Sequence, residues 1–149
     1  MTELRQTEDI NELMRWRKEV IETVFGVTPG QDLLEENERY YLTHISNGSH
    51  MAFIATFNDE EAGCGSLCLS EELPSPDNPN GKCGYLMNIY VREAFREKGV
   101  GHSIVRKLIE VANGMKCGKI YLETTDLGRS LYKSLGFSDL PDMMKLNKK

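Results

Sequence analysis

Between Tyr85 and Ala112 the chain reads as a strand, a glycine turn and a helix in direct succession, and this unit narrows the available folds more than any other stretch. Tyr85-Leu86-Met87-Asn88-Ile89-Tyr90-Val91 is almost wholly apolar or aromatic, the pattern of a strand covered on both faces. Gly101, Ile104, Val105, Leu108, Ile109 and Ala112 share one face at helical spacing, and Asn113-Gly114 forms a C-terminal stop. A glycine turn between strand and helix exposes successive backbone N–H groups at the positive end of the helix, a geometry that holds phosphate. A phosphorylated cofactor is therefore the expected ligand of Arg96-Glu97-Lys98-Gly99-Val100-Gly101.

Other elements follow from local signals. Asp9-Ile10-Asn11-Glu12 has the layout of a capping box, and Leu13, Trp16, Val20, Ile21 and Val24 continue it as a helix ending near Phe25-Gly26. A second helix is expected over about Asp32 to Ile45, stopping at Asn47-Gly48. His50 to Phe57 reads as a strand, Asn58-Asp59-Glu60-Glu61 as a hairpin turn, and Ala62 to Leu69 as the returning strand. Pro74, Pro76 and Pro79 make Ser70 to Lys82 an exposed loop. Lys119 to Thr124 is a further strand. Thr125 or Asp126 then caps a short helix to about Leu135, with Leu127, Leu131 and Leu135 as its core stripe. The tail around Asp142-Met143-Met144-Lys145-Leu146 offers a last strand. The expected order is α-α-β-β-β-α-β-α-β: one α/β domain over residues 1–149, a mixed sheet with helices on its faces.

Composition excludes several classes. No apolar run approaches the roughly 20 residues needed to cross a bilayer, and Met1-Thr2-Glu3-Leu4-Arg5-Gln6 lacks a signal-peptide layout. A cytoplasmic protein with no membrane partner is the expectation. Cys64, Cys68, Cys83 and Cys117 match no metal-ligand spacing and read as buried reduced thiols; no metal site is expected. The net charge of −5 argues against non-specific nucleic-acid binding. Locally, Arg92 to Lys107 carries five bases against two acids, which suits an anionic cofactor. Residues 31–80 carry ten acids against the single base Arg39, as solvated surface or as an attractor for a cationic substrate.

The glycine turn is not a P-loop, because no Gly-Lys-Ser/Thr follows, and Ile104 stands where a dinucleotide fingerprint needs its third small residue. A second block, Thr125-Asp126-Leu127-Gly128-Arg129-Ser130-Leu131-Tyr132-Lys133-Ser134-Leu135-Gly136-Phe137, sharpens the reading. Together the two blocks resemble the GNAT superfamily of acyl-CoA-dependent N-acetyltransferases. Arg96, Gly99 and Gly101 match its Arg/Gln-x-x-Gly-x-Gly/Ala pyrophosphate signature, and Tyr132, Gly136 and Phe137 match its second block. The resemblance is sharp over residues 85–137 and extends by element order to the whole chain. Glu93 departs from a common proline and Glu97 from a common glycine; the Glu97 carboxylate has to point away from a diphosphate.

That resemblance implies a GNAT-like fold with a splayed central sheet, acetyl-CoA as cosubstrate, and acyl transfer to a primary amine of a small molecule or peptide. It implies cofactor contacts from Ile89, Tyr90 and Val91, whose main chain meets the pantetheine arm like an added strand. Arg96, Glu97, Lys98, Gly99, Val100, Gly101 and His102 form the diphosphate turn, and Thr125 and Gly128 line the second block. Arg106 is a further base beside the turn. It assigns Tyr132 the role of acid toward the departing thiolate; without the motif, the same residue reads as a half-buried packing tyrosine. A backbone N–H near Ile89 serves the oxyanion. No general base declares itself: Glu123 is one candidate, Glu35, Glu36, Glu71 and Glu72 are others, and Asn88 is suited to hold a relaying water. His44, His50 and His102 form no triad, and Tyr40-Tyr41 either lines the acceptor pocket or packs the second helix. The rival class is a non-catalytic acyl-CoA-binding module. Family members often pair as homodimers, which leaves a homodimer open here.

Overall fold

The computed structural model describes residues 1–148. Five strands form one sheet in sequence order: β1 (Thr2–Thr7), β2 (His50–Phe57), β3 (Glu60–Glu71), β4 (Lys82–Val91) and β5 (Lys119–Leu122). Each of the first four runs antiparallel to its neighbours among them, and β5 runs parallel to β4. Parallel neighbours need a crossover, and the helix α3 (Val100–Gly114) supplies it. Two further helices, α1 (Ile10–Val24) and α2 (Gln31–Ser46), lie between β1 and β2 in sequence.

Alternation along the strands divides the core into two layers. Phe53, Ala55, Leu67 and Leu86 pack with Val100, Ile104, Val105, Leu108 and Ala112 of α3. Ile54, Cys64 and Tyr90, on the opposite face, pack with Trp16 and Val20 of α1, and Ala52 packs with Leu13 and Tyr41. α3 sits directly on the sheet: a Cβ at Gly65 would lie 2.5 Å from Ile104 Cγ2. On α1, the Asp9 carboxylate accepts from the N–H groups of Asn11 and Glu12, as the capping pattern predicts. Asn58 and Asp59 both take positive φ, the geometry of a tight two-residue hairpin.

Four expectations are corrected. The chain begins with a strand, β1, paired to β2 from Thr2↔Phe57 to Thr7↔Ala52. Only Leu4 in that segment is a large apolar residue, so no periodic signal announces it. The tail forms no strand: residues 138–148 are irregular, with Met143, Met144 and Leu146 exposed, and Pro141 lacks the N–H that a ladder needs. Leu127 is 95% exposed, because Asp126–Gly128 is a 3-10 turn ahead of a shorter helix, α4 (Arg129–Ser134). Leu131 and Leu135 do pack on the core. Neither Thr125 nor Asp126 caps α4 with its side chain; Asp126 instead accepts from Arg129.

Candidate active site

The pairing of β4 with β5 stops at Leu86↔Leu122. Beyond it, Met87 to Val91 have no partner on the β5 side, so the two strands part. A bulge accompanies the parting. Cys64 pairs with Tyr90 and Ser66 with Met87, so Gly65 alone opposes Asn88 and Ile89. Asn88 sits at φ 57°, a left-handed conformation that asparagine tolerates better than most residues. Ile89 and Val91 thus stand on an open strand edge, while Tyr90 is buried on the α1 face against Trp16.

The chain then crosses to α3 through the predicted turn. Glu97 and Gly99 both have positive φ, 62° and 82°, and Gly99 caps α3 without a side-chain bond. Among the described residues, the backbone N–H groups of Lys98, Gly99, Val100, Gly101 and His102 donate to no protein acceptor. Five adjacent unpaired amides at a helix N-terminus make a strong anion cradle. The Glu97 and Arg96 side chains are exposed there, and Arg96 Nε also reaches the Val91 carbonyl at 3.4 Å. Lys98 Nζ lies 5.9 Å from the Phe57 ring centroid. Of the bases counted in this stretch, Arg92 does not join the cradle. It pairs both ways with Glu19 at 2.8 Å and stacks over Trp16 at 4.3 Å.

α4 closes the far side. A Cβ on Gly101 would meet Leu131 Cδ2 at 3.4 Å, so α4 packs against the first turn of α3, and His102 Nε2 lies 3.2 Å from Ser134 Oγ. Tyr132 is half-buried with its ring edge-on to Phe137 at 5.9 Å, and burial pushes its phenol above the ordinary value. Gly128 makes room for that ring: a Cβ there would fall 2.5 Å from Thr124 Oγ1 and 3.1 Å from Tyr132 Cε2. Thr125 is exposed at the start of the same segment.

The carboxylate candidates separate clearly. Glu123, just past the last β4–β5 pair, accepts from Tyr85 OH at 2.9 Å. Glu72 is tied to Lys119 and the Cys83 thiol, Glu36 to Arg39, and Glu35 to Gln31. Glu71 is exposed at the end of β3. Asn88 is committed elsewhere, since its Oδ1 accepts from Arg17 at 2.8 Å. The acidic segment does not converge on one site. Glu61 pairs with Arg5 and Arg15, and Asp59 and Glu60 lie at the β2–β3 hairpin. The tyrosine pair divides its roles: Tyr41 is core, while Tyr40 OH lies 2.9 Å from His50 Nδ1 and 3.3 Å from Cys68 Sγ. This Tyr40–His50–Cys68 cluster has no sequence signal, because its members come from three elements. His50 is neutral at physiological pH, its pKa lowered to about 4 chiefly by burial.

Two cavities are distinct. The larger, about 790 Å³, runs along the outer edge of β5 between α4 and the irregular tail, touching Glu123, Tyr132 and Phe137 but neither the turn nor Ile89. A smaller one of about 230 Å³ lies between α1, α2, β2 and the bulge of β4.

The sequence profile of the acetyltransferase (GNAT) family matches residues 10–137. Thialysine N-epsilon-acetyltransferase of Sus scrofa is 33% identical over 97 residues, which is 50% of this chain and 57% of that protein. Probable glucosamine 6-phosphate N-acetyltransferase 2 of Oryza sativa subsp. japonica is 37% identical over 57 residues, 38% of this chain and 34% of that protein. The chain therefore spans little more than half of the first relative and a third of the second. A crystal structure of a predicted acetyltransferase from Clostridium acetobutylicum, solved with acetyl-CoA, superposes with a TM-score of 0.87 at 28% identity, covering 99% of this chain and 96% of that one. The profile match runs through the parted strand, the amide turn and the tyrosine block: the chain belongs to the acetyltransferase (GNAT) family.

Proposed function

We propose that residues 1–149 act as one acetyl-CoA-dependent N-acetyltransferase domain, acylating a primary amine of a small molecule or peptide by direct attack on the thioester. The observation that carries this reading is the run of unpaired amides from Lys98 to His102 beside an open edge of β4. The amides hold the diphosphate of the cosubstrate, helped by Arg96 and Lys98. The free edge from Met87 to Val91 offers main-chain groups to the amide-bearing pantetheine arm. The groups present fit such a ligand: an anion cradle at one end and an unpaired strand edge leading away from it.

Acyl transfer forms a C–N bond and breaks the C–S bond, so two protons must be managed. Tyr132 donates its phenolic proton to the departing thiolate; burial keeps that proton in place at neutral pH. The amine loses its proton to Glu123, which Tyr85 orients through its hydroxyl. The N–H of Ile89, beside the bulge, steadies the developing oxyanion. All four cysteines are unpaired, which supports a reducing, cytoplasmic compartment.

The test is CoA release measured across a panel of primary amines, with acetyl-CoA binding measured in parallel. Saturable, amine-dependent release supports the assignment. Binding without acetylation of any amine means a non-catalytic module, and absence of binding removes the assignment altogether.

A further inference from the structure

We propose that the smaller cavity is the specificity pocket of the acceptor site, and that Arg17 there selects an amine whose other end carries a carboxylate. This rests on the acetyltransferase reading above and adds the acceptor's chemical class.

Arg17 and Arg92 are the two partly buried arginines of the fold, and among the described residues Arg17 is the one of the two without a carboxylate partner. Arg5, Arg15, Arg39, Arg92, Arg129 and Lys119 each have a carboxylate partner. Neutral amide oxygens hold Arg17 instead: Nε donates to Asn37 Oδ1 at 3.1 Å and Nη1 to Asn88 Oδ1 at 2.8 Å. These bonds fix the guanidinium while leaving Nη2 and one Nη1 hydrogen uncommitted, a donor set that suits a planar oxyanion. The cavity wall otherwise consists of Tyr40, Tyr41, His50 and Met87, with no acidic residue. A half-buried cation on such a wall lacks a counter-charge, and a bound anion supplies it.

A single cation favours a monoanion, hence a carboxylate over a phosphate. A polyamine, cationic at both ends, would meet an uncompensated positive charge. This turns round the attraction for cationic substrates that the acid-rich segment suggests, because those acids are paired or lie elsewhere.

Position along β4 relates the two ends of the acceptor. Asn88 lines the pocket and is the bulge residue itself, and Met87 lines it beside Asn88. By strand alternation Tyr85 faces the same side, two residues along β4, about 7 Å from Met87. Tyr85 holds Glu123, the proposed acceptor of the amine proton. An acceptor with its amine beside Glu123 and its carboxylate on Arg17 would therefore lie along this face of β4.

Two measurements test this. First, L-lysine and cadaverine, which differ by the carboxylate alone, are compared as acceptors, with glucosamine 6-phosphate as a third. Lysine should lead cadaverine in kcat/KM on the order of tenfold to a hundredfold, as for a charge-assisted hydrogen bond. In Arg17→Gln that preference should fall to near one with the KM for acetyl-CoA unchanged. Cadaverine equal to lysine, a preference that survives Arg17→Gln, or glucosamine 6-phosphate ahead of lysine would each overturn the proposal. Second, and independent of turnover, 6-aminohexanoate should move the NMR side-chain amide signals of Asn37 and Asn88 saturably, and hexylamine should not. Absence of that shift overturns the pocket. A shift without acetylation of any amine leaves the pocket standing and removes the enzyme assignment instead.

Discussion

Replacing Tyr132 with phenylalanine removes one oxygen and leaves the packing in place. The ring keeps its edge contact with Phe137 and its seat beside Gly128. Burial is the single influence on the phenol, with no hydrogen bond acting on it. No protein hydrogen bond is therefore lost, and folding stability should change by less than about 0.5 kcal/mol. Catalysis should respond differently. A positioned general acid contributes about 10²- to 10⁴-fold, and water can replace part of it in a site open on one side. We expect kcat to fall about a hundredfold, equivalent to about 2.7 kcal/mol of barrier, with the KM for acetyl-CoA almost unmoved. The assay is thiol release at saturating amine, with a thermal melt on the same sample. Because burial raises the phenol pKa above its ordinary value of 10.0, the wild-type acid stays protonated through neutral pH. Any loss of kcat from its ionisation belongs to pH values above 10, and Tyr132→Phe should lack that limb. A variant with kcat within threefold of wild type and a normal melt would refute the acid role.

Glu97→Gly should tighten acetyl-CoA by several-fold in calorimetry without loss of stability, because φ of 62° strains a glutamate by about 1 kcal/mol and its carboxylate repels a diphosphate; weaker binding would contradict the cradle. Gly65→Ala pushes a methyl into Ile104 Cγ2, 2.5 Å away, and should lower stability by about 1–3 kcal/mol at unchanged m-value in urea. A neutral effect would mean that α3 lies farther from the sheet. The Arg5 guanidinium holds the Glu12 carboxyl at about 2, against an ordinary 4.5, so its stabilisation is complete above about pH 4.5 and disappears as pH falls toward 2. Solvent screening limits it to about 1 kcal/mol; Glu12→Gln should flatten that part of the Tm-against-pH curve, and an unaltered acid limb would contradict the pairing.

The unit from Tyr85 to α3 was legible because its own periodicity, glycines and stop signal all agree. β1 was not, because six mostly polar residues become a strand through the edge of β2 and through little in themselves. The tail misleads in the other direction. Met144 and Leu146 alternate with Lys145 and Asn147 as a strand does, yet β5 is only four residues long and offers little edge to pair with. Leu127 shows how a helical period extended one turn too far places a residue in the core that the 3-10 turn leaves in solvent. Charge counting by segment placed Arg92 with the anion turn. Its partner Glu19 lies 73 residues away, a pairing visible only in three dimensions. Arg17 is the converse case: one more base on the helix α1, singled out once the fold denies it a carboxylate.

The central claim is that the amides opening α3 and the parted edge of β4 form one binding surface for coenzyme A. Titration of nitrogen-15-labelled protein with acetyl-CoA, following backbone amide signals, addresses it residue by residue. The largest saturable shifts should fall on Lys98 to His102, with Ile89 and Val91 moving on the same binding curve. Shifts confined to the β5 edge around Ile120 and Leu140, or none at millimolar ligand, would contradict it.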